Sequence, residues 1–189
     1  MESLLKTALA ALRERKTLLY PTDTLWGIGC DATDTAAVER IYALKERDRH
    51  KSMLVLCADL AMVEAFVGPA DKECADLLLH SDRPTTVIMP LRQCLLAENL
   101  AADDGTLGVR IPQMEFCQRL LTAFGKPVVS TSANFSGAPS PTTYEEIDST
   151  LKARIDCCLP NHKAFHHPCT GGSRIVKIKP TGGITVIRP

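Results

Sequence analysis

The sequence predicts an α/β protein, a single domain over residues 1–189 in which a twisted, mixed β-sheet of the open type is flanked by helices. Two observations carry that expectation. Short β-prone apolar runs alternate with segments whose apolar residues recur every three or four positions. The last two runs, 174–179 and 184–188, flank Pro180-Thr181-Gly182-Gly183, a turn sequence that predicts a β-hairpin and so an antiparallel edge on the sheet. A length of 189 residues is enough to bury one core, and 45% hydrophobic with 23% charged residues excludes disordered and fibrous classes.

Leu4, Leu5, Ala8 and Leu12 fall at helical spacing, and Arg13, Arg15 and Lys16 follow as cations suited to a helix C-terminus, which predicts a first helix. Residues 17–20 read as a short strand closed by Pro21 and the polar turn Thr22-Asp23-Thr24. Residues 25–30 alternate large side chains with Gly27 and Gly29, a strand with room for another backbone or a ligand. Thr33 or Asp34 then caps a helix whose apolar face is Ala37, Val38, Ile41, Tyr42 and Leu44. Its end carries Lys45, Arg47, Arg49 and Lys51, followed by a strand over 53–57.

Residues 59–66 and 71–79 read as two short helices parted by Gly68-Pro69, and 85–89 as a strand ended by Pro90. Residues 92–104 show no clear period. Residues 106–112 form a strand carrying one arginine, and Phe116, Leu120, Leu121 and Phe124 make the face of a helix stopped by Gly125. A buried strand over 127–130 runs into Thr131-Ser132-Ala133-Asn134-Phe135-Ser136-Gly137, read as a loop, with Pro139 and Pro141 beyond. Residues 143–151 are expected to be helical and 155–159 to form a strand.

Lys and Arg total 22, equal to Asp and Glu, so anion binding must come from a local patch and not from a global field. The acidic Glu2 and the broken apolar pattern at the N-terminus predict no signal peptide, and no apolar run is long enough to span a membrane. The eight cysteines, at 30, 57, 74, 94, 117, 157, 158 and 169, lie mostly inside apolar stretches without paired spacing and read as reduced cytoplasmic thiols. No phosphate-binding Gly-x4-Gly-Lys loop or dinucleotide Gly-x-Gly-x2-Gly is present. Ser3, Ser132 and Lys179 only imitate the motif order of penicillin-recognising enzymes, and His50 and His80 anchor no nucleophile.

Three constellations remain. The cations at 45–51 either decorate a solvated loop or hold an anion such as a triphosphate. Ser130, Thr131, Ser132 and Asn134 either satisfy one another in a turn or present donors to phosphate and ribose oxygens. Arg110, in an apolar strand, needs a carboxylate, which is either internal or a ligand's. Cys157, Cys158, His162, His166, His167 and Cys169 lack a Cys-x2-Cys pair, and no metal site is expected there.

Taken together, Tyr20-Pro-Thr-Asp-Thr24, Gly27-Ile-Gly29, Lys45-x-Arg47, Gly108-Val-Arg110-Ile-Pro112 and Ser130-Thr-Ser-Ala-Asn134-Phe-Ser-Gly137 resemble the YrdC-type L-threonylcarbamoyladenylate synthases, in their short, single-domain form. The resemblance covers nearly the whole chain in order. It implies a nucleotidyltransferase that makes threonylcarbamoyl-AMP and pyrophosphate from L-threonine, bicarbonate or CO2, and ATP, the first step of N6-threonylcarbamoyladenosine formation in tRNA. It also implies an open sheet with a positively charged groove, and the fold has been described as binding double-stranded RNA.

Carried over by position, the resemblance places Lys45, Arg47, Lys51, Thr106, Ser132, Asn134, Ser140 and Arg188 toward ATP, with Lys45, Arg47, Ser132 and Asn134 at the reacting phosphate. It places Thr24, Arg110, Ser130 and Ser173 around L-threonine. ATP is a substrate, Mg2+ is left open as its companion, and a downstream threonylcarbamoyl transferase would receive the product. Two departures stand out: Leu56 where many members have histidine, and Ser173-Arg174 where Ser-Thr is usual. They keep open a paralogue with another carbamoylated substrate, and a noncatalytic tRNA or double-stranded RNA binder is the other alternative.

Overall fold

A computed structural model describes residues 1–48, 53–93, 95–165, 171–179 and 182–189. Among these residues nine strands form one mixed sheet in the order β7-β1-β2-β6-β3-β5-β4-β8-β9. The strands are β1 (Leu18–Tyr20), β2 (Gly27–Gly29), β3 (Leu54–Leu56), β4 (Thr85–Pro90), β5 (Thr106–Arg110), β6 (Val128–Ser132), β7 (Cys157–Cys158), β8 (Arg174–Ile178) and β9 (Ile184–Arg188). The helices are α1 (Glu2–Arg13), α2 (Thr35–Lys45), α3 (Leu60–Phe66), α4 (Lys72–His80), α5 (Glu115–Phe124) and α6 (Ser149–Arg154), with a 3-10 turn at Lys163–Phe165. The expected α/β class with a mixed sheet holds, with parallel pairs β1·β7, β3·β5 and β4·β8 among antiparallel ones.

A row of valines organises the sheet. Val129, Val55, Val109, Val87, Val176 and Val186 are successive partners across β6, β3, β5, β4, β8 and β9. The first five are fully buried. Side chains alternate faces along a strand, so the residues beside these valines project to the opposite face. That opposite row runs Ser130, Leu54, Gly108, Ile88, again in register. One face therefore builds the core and the other is free to become a site.

Four of the six described helices start at a capping aspartate. Asp34 accepts from the backbone N–H groups of Ala36 and Ala37 at 3.0 and 3.2 Å, Asp59 from Met62 at 2.7 Å and Asp71 from Cys74 at 2.8 Å. Asp148 does the same for Thr150 and Leu151, which corrects the expected helix at 143–151 to Ser149–Arg154. Before that cap, Glu146 folds back onto the backbone N–H of Thr142 at 2.7 Å and makes a turn.

Other boundaries moved as well, with the strand expected at 155–159 regular only at Cys157–Cys158 and that expected at 106–112 only at Thr106–Arg110. The strand expected at 25–30 is regular only over Gly27–Gly29, and β6 continues through Thr131 and Ser132, which the sequence places in a loop. Pairing with β2 holds them: Gly27 is opposite Ser132 and Ile28 opposite Thr131. Residues 92–104 have no helix or strand among the described positions, yet Leu96, Ala97 and Leu100 are buried, and Ala97 N–H donates to Ala32 O at 2.8 Å.

The β2–β6 contact is close because of Gly29. A Cβ there would lie 2.2 Å from Val129 O and 2.8 Å from the Tyr20 ring. Gly29→Ala is expected to cost about 2–3 kcal/mol, since a backbone oxygen cannot step aside cheaply. Urea denaturation checks this, and an unchanged midpoint would show that the two strands separate without penalty.

The six described cysteines are free thiols. Burial pushes the Cys57 thiol up to about 12. Among the described residues no three His, Cys, Asp or Glu side chains group as metal ligands, and no helix is long and apolar enough to cross a membrane. Half of the Cys157 to Cys169 cluster, His166, His167 and Cys169, lies outside the described residues, as do Lys51 and Arg49.

Candidate functional site

The face opposite the valine row opens into a cleft of about 280 Å³. Leu54, Thr86, Ile88, Gly108, Arg110, Ser130, Thr131, Ser132 and Ile175 line it from the strands, and on β4 and β5 the lining residues are two apart, as side chains of one face are. Thr22, Thr24, Leu25, Trp26 and Gly27 close one side, and Arg47, Ser140, Gly172, Ser173 and Arg188 the other parts of the wall. Three guanidinium groups and a run of hydroxyls thus meet above a floor of aliphatic side chains.

Glycine makes the floor. A Cβ on Gly27 would stand 3.1 Å from Ser130 Oγ, and one on Gly108 would stand 3.2 Å from Leu54 Cβ. Side chains there would fill the space a ligand needs.

Arg110 is at the end of β5, buried, and ion-paired through Nη1 with Oδ1 of Asp23. Asp23 also accepts from the Gln113 backbone N–H at 2.9 Å. Of the two partners the sequence leaves open, the internal carboxylate is therefore present, while Arg110 still reaches the cleft. Beside it, the hydroxyls of Thr22 and Thr24 are 3.0 Å apart, and those of Thr86 and Ser173 are 2.7 Å apart.

Arg188 on β9 donates from Nε and Nη2 to Ser173 O at 2.8 and 2.6 Å. Burial lowers its affinity for its proton, and the nearby charge of Arg110 adds to this. Arg47 shows the same direction, with burial as the main cause. Cations held under such desolvation gain most from a polyanion.

Arg47 reaches the cleft because α2 stops two residues earlier, at Lys45. Glu46 adopts the left-handed conformation at φ 52°, and the Arg47 N–H donates back to Tyr42 O at 3.0 Å. Lys45, the last helical residue, turns instead into the interior. Its ammonium donates to the backbone carbonyls of Ser132 and, at 2.6 Å, Asn134, while its own carbonyl accepts from Ser136 N–H at 2.9 Å. Burial first and the charge of Arg47 second push the Lys45 ammonium down to about 7.

Of the residues singled out from the sequence, Thr24, Arg47, Arg110, Ser130, Thr131, Ser132, Ser140, Ser173 and Arg188 converge on the cleft. Lys45 and Asn134 stand behind its wall, the Asn134 amide donating to Phe135 O and Ala138 O at 3.0 and 2.7 Å. Thr106 is at the far end of β5, where its hydroxyl donates to Asp104 at 2.6 Å. Lys51 is outside the described residues. Sequence reasoning missed Asp23 and Thr86, whose partners are distant in the chain. Asp23 was visible only as the acid inside Thr22-Asp23-Thr24, and Thr86 only as an ordinary strand residue.

An open mixed sheet that gathers arginines and hydroxyls over glycine-made space defines an anion-binding α/β protein. Residues 10–189 match the Sua5/YciO/YrdC family model, described as telomere recombination, and the chain belongs to that family. It is 34% identical over 161 residues to a threonylcarbamoyl-AMP synthase of Stenotrophomonas maltophilia, covering 84% of this chain and 86% of that one. It is also 34% identical over 149 residues to a threonylcarbamoyl-AMP synthase of Bacillus subtilis, covering 78% of this chain and 43% of the relative, so it spans less than half of that protein's length. Among solved structures it is similar to P. abyssi Sua5 complexed with L-threonine, with a TM-score of 0.86 and 25% identity over 98% of this chain and 53% of that one.

Proposed function

We infer that this chain is a threonylcarbamoyl-AMP synthase, a nucleotidyltransferase that joins L-threonine, bicarbonate-derived CO2 and ATP and releases pyrophosphate. One observation carries the reading: a carboxylate-binding arginine, Arg110, and two further arginines, Arg47 and Arg188, face the same cleft. Synthases of this name among the relatives support it.

Thr24, Arg110, Ser130 and Ser173 take the amino acid, and Arg47, Ser132, Ser140 and Arg188 take the triphosphate. Lys45 and Asn134 act through the backbone that presents Ser132. Thr106 and Lys51 complete the set that the resemblance directs toward ATP, Thr106 from outside the cleft. The carbamate oxygen of N-carboxylated threonine attacks the α-phosphorus, the bond to the β,γ-pyrophosphate breaks, and pyrophosphate leaves with the electron pair. The protein's contribution is to align the two anions and offset their charge. No side chain has to shuttle a proton in that step.

Mg2+ can accompany ATP, but no carboxylate lines the cleft among the described residues, so the ion would be held by the phosphates and not by a protein cage. The product is a mixed carbamic–phosphoric anhydride that water destroys, so a transferase acting on tRNA must consume it promptly. We place the reaction in the cytoplasm, with residues 1–189 working as one domain.

Pyrophosphate release from ATP tests the reading. It is expected only when L-threonine and bicarbonate are both present. Release that proceeds without either one would overturn it.

A further inference from the structure

The buried ion pair beneath the cleft is satisfied on one side only. Arg110 and Asp23 have side chains just 3% and 2% exposed. Both oxygens of Asp23 are engaged, one by Nη1 of Arg110 and the other by the Gln113 backbone N–H. The guanidinium is less complete: Nε of Arg110 is buried and has no hydrogen-bond partner among the described residues. A guanidinium can grip a carboxylate along its end or along the side that includes Nε. With Asp23 on Nη1, the side that includes Nε is left for something else.

Arg110 lines the cleft together with Thr24, Ser130 and Ser173, and a ligand there is the nearest candidate for that side. Charge points the same way. Asp23 neutralises Arg110 at this end, whereas the hydrogen bonds described for Arg188 go to neutral oxygens of Ser173. A monocarboxylate therefore suits the Arg110 end, and a polyphosphate suits the end of Arg47 and Arg188.

We propose that Asp23 is a positioning residue of the amino-acid site, holding Arg110 by Nη1 so that its Nε side faces the cleft and receives the substrate carboxylate. This rests on the synthase reading for the identity of the amino acid. The tether to Gln113 keeps the aspartate from following the arginine into the cleft. Asp23 touches no substrate; it selects which side of Arg110 does.

Calorimetric titration of L-threonine and of ATP into the wild-type chain and into Asp23→Asn tests the proposal. Threonine affinity is expected to fall about tenfold or more while ATP affinity stays within about twofold. In an Arg110→Gln background, Asp23→Asn is expected to add no further loss. Threonine binding within about twofold of wild type, or equal weakening of both ligands, overturns the proposal. Should Asp23→Asn lack a cooperative melt, Asp23→Glu keeps the charge and shifts it by one methylene, and the same split between ligands is expected. A wild-type chain that binds ATP but not threonine defeats the substrate reading alone. The NMR signals of the Arg110 Nη groups then decide the positioning: separate, slowly rotating Nη1 and Nη2 signals are expected in wild type, where Asp23 holds Nη1, and averaged signals in Asp23→Asn, and averaging in both overturns it.

Discussion

Arg110→Gln is expected to lower the melting temperature by about 10 °C and to abolish threonine-dependent pyrophosphate release. Removing one member of a buried ion pair leaves the other charged in low dielectric, typically at a cost of about 3–5 kcal/mol. Here the survivor would be Asp23, whose remaining described hydrogen bond comes from the Gln113 N–H. In a chain of 189 residues each kcal/mol moves the melting point by about 2–4 °C. The expected activity loss has a separate cause, because glutamine offers no charge and no fork to a substrate carboxylate. Thermal unfolding followed by circular dichroism reads the first effect and the pyrophosphate assay the second. Arg110→Lys separates them: it keeps the charge near Asp23, so most of the stability should return, while the lost fork leaves threonine use poor. A melting point of Arg110→Gln within about 2 °C of wild type would show that the pair contributes little to the fold.

Much of the architecture is legible in the sequence because each strand carries its own alternation. Leu54-Val55-Leu56, Thr86-Val87-Ile88 and Gly108-Val109-Arg110 place valine on the core face and small, polar or aliphatic neighbours on the other. Helix starts were legible where an aspartate stands before an apolar face, as at Asp34. They failed at 143–151 because Asp148 restarts the chain there and a propensity reading passes over it. The hydroxyls at the end of β6 read as loop because serine carries little strand signal and Ala133-Asn134 and Gly137 follow, and it is the neighbouring β2 that holds Ser132 in the sheet.

The site was legible as a set of residue types and illegible as a set of pairs. Arg110 demanded a carboxylate, but nothing local says that Asp23, 87 residues earlier, supplies it. The Thr86–Ser173 hydroxyl pair spans an equal distance in the chain and arises only because β4 and β8 run side by side. The cation cluster hid the opposite fact. Lys45 and Arg47 are two residues apart, yet the left-handed turn at Glu46 sends one side chain inward and the other to the cleft.

Lys45 carries the second large expectation, a stability that rises with pH. Its side chain is almost fully buried, and its ammonium falls from 10.5 to about 7, chiefly through burial. Below pH 7 the lysine is charged in both folded and unfolded chains, and the cost of burying that charge is fully present. Between about 7 and 10.5 the unfolded chain keeps a proton that the folded chain releases, so stability climbs, at most by about 1.4 kcal/mol per pH unit. The two carbonyls that accept from the ammonium favour its charged form and temper the climb. Thiols act the other way: burial lifts Cys57 to about 12 and Cys74 to about 11, so above pH 9 the folded chain keeps protons that the unfolded one loses, and stability declines. The window from pH 7 to about 8.5 therefore belongs to Lys45. Across it, urea unfolding of the wild type is expected to gain about 1–2 kcal/mol, and Lys45→Met is expected to stay flat. The methionine also leaves the carbonyls of Ser132 and Asn134 without their donor, at a cost of about 1–3 kcal/mol, and loosens the backbone that presents Ser132 to the cleft. Pyrophosphate release should fall with it even at pH 8.5. Parallel pH slopes in the two proteins would mean that the titrating group is not Lys45.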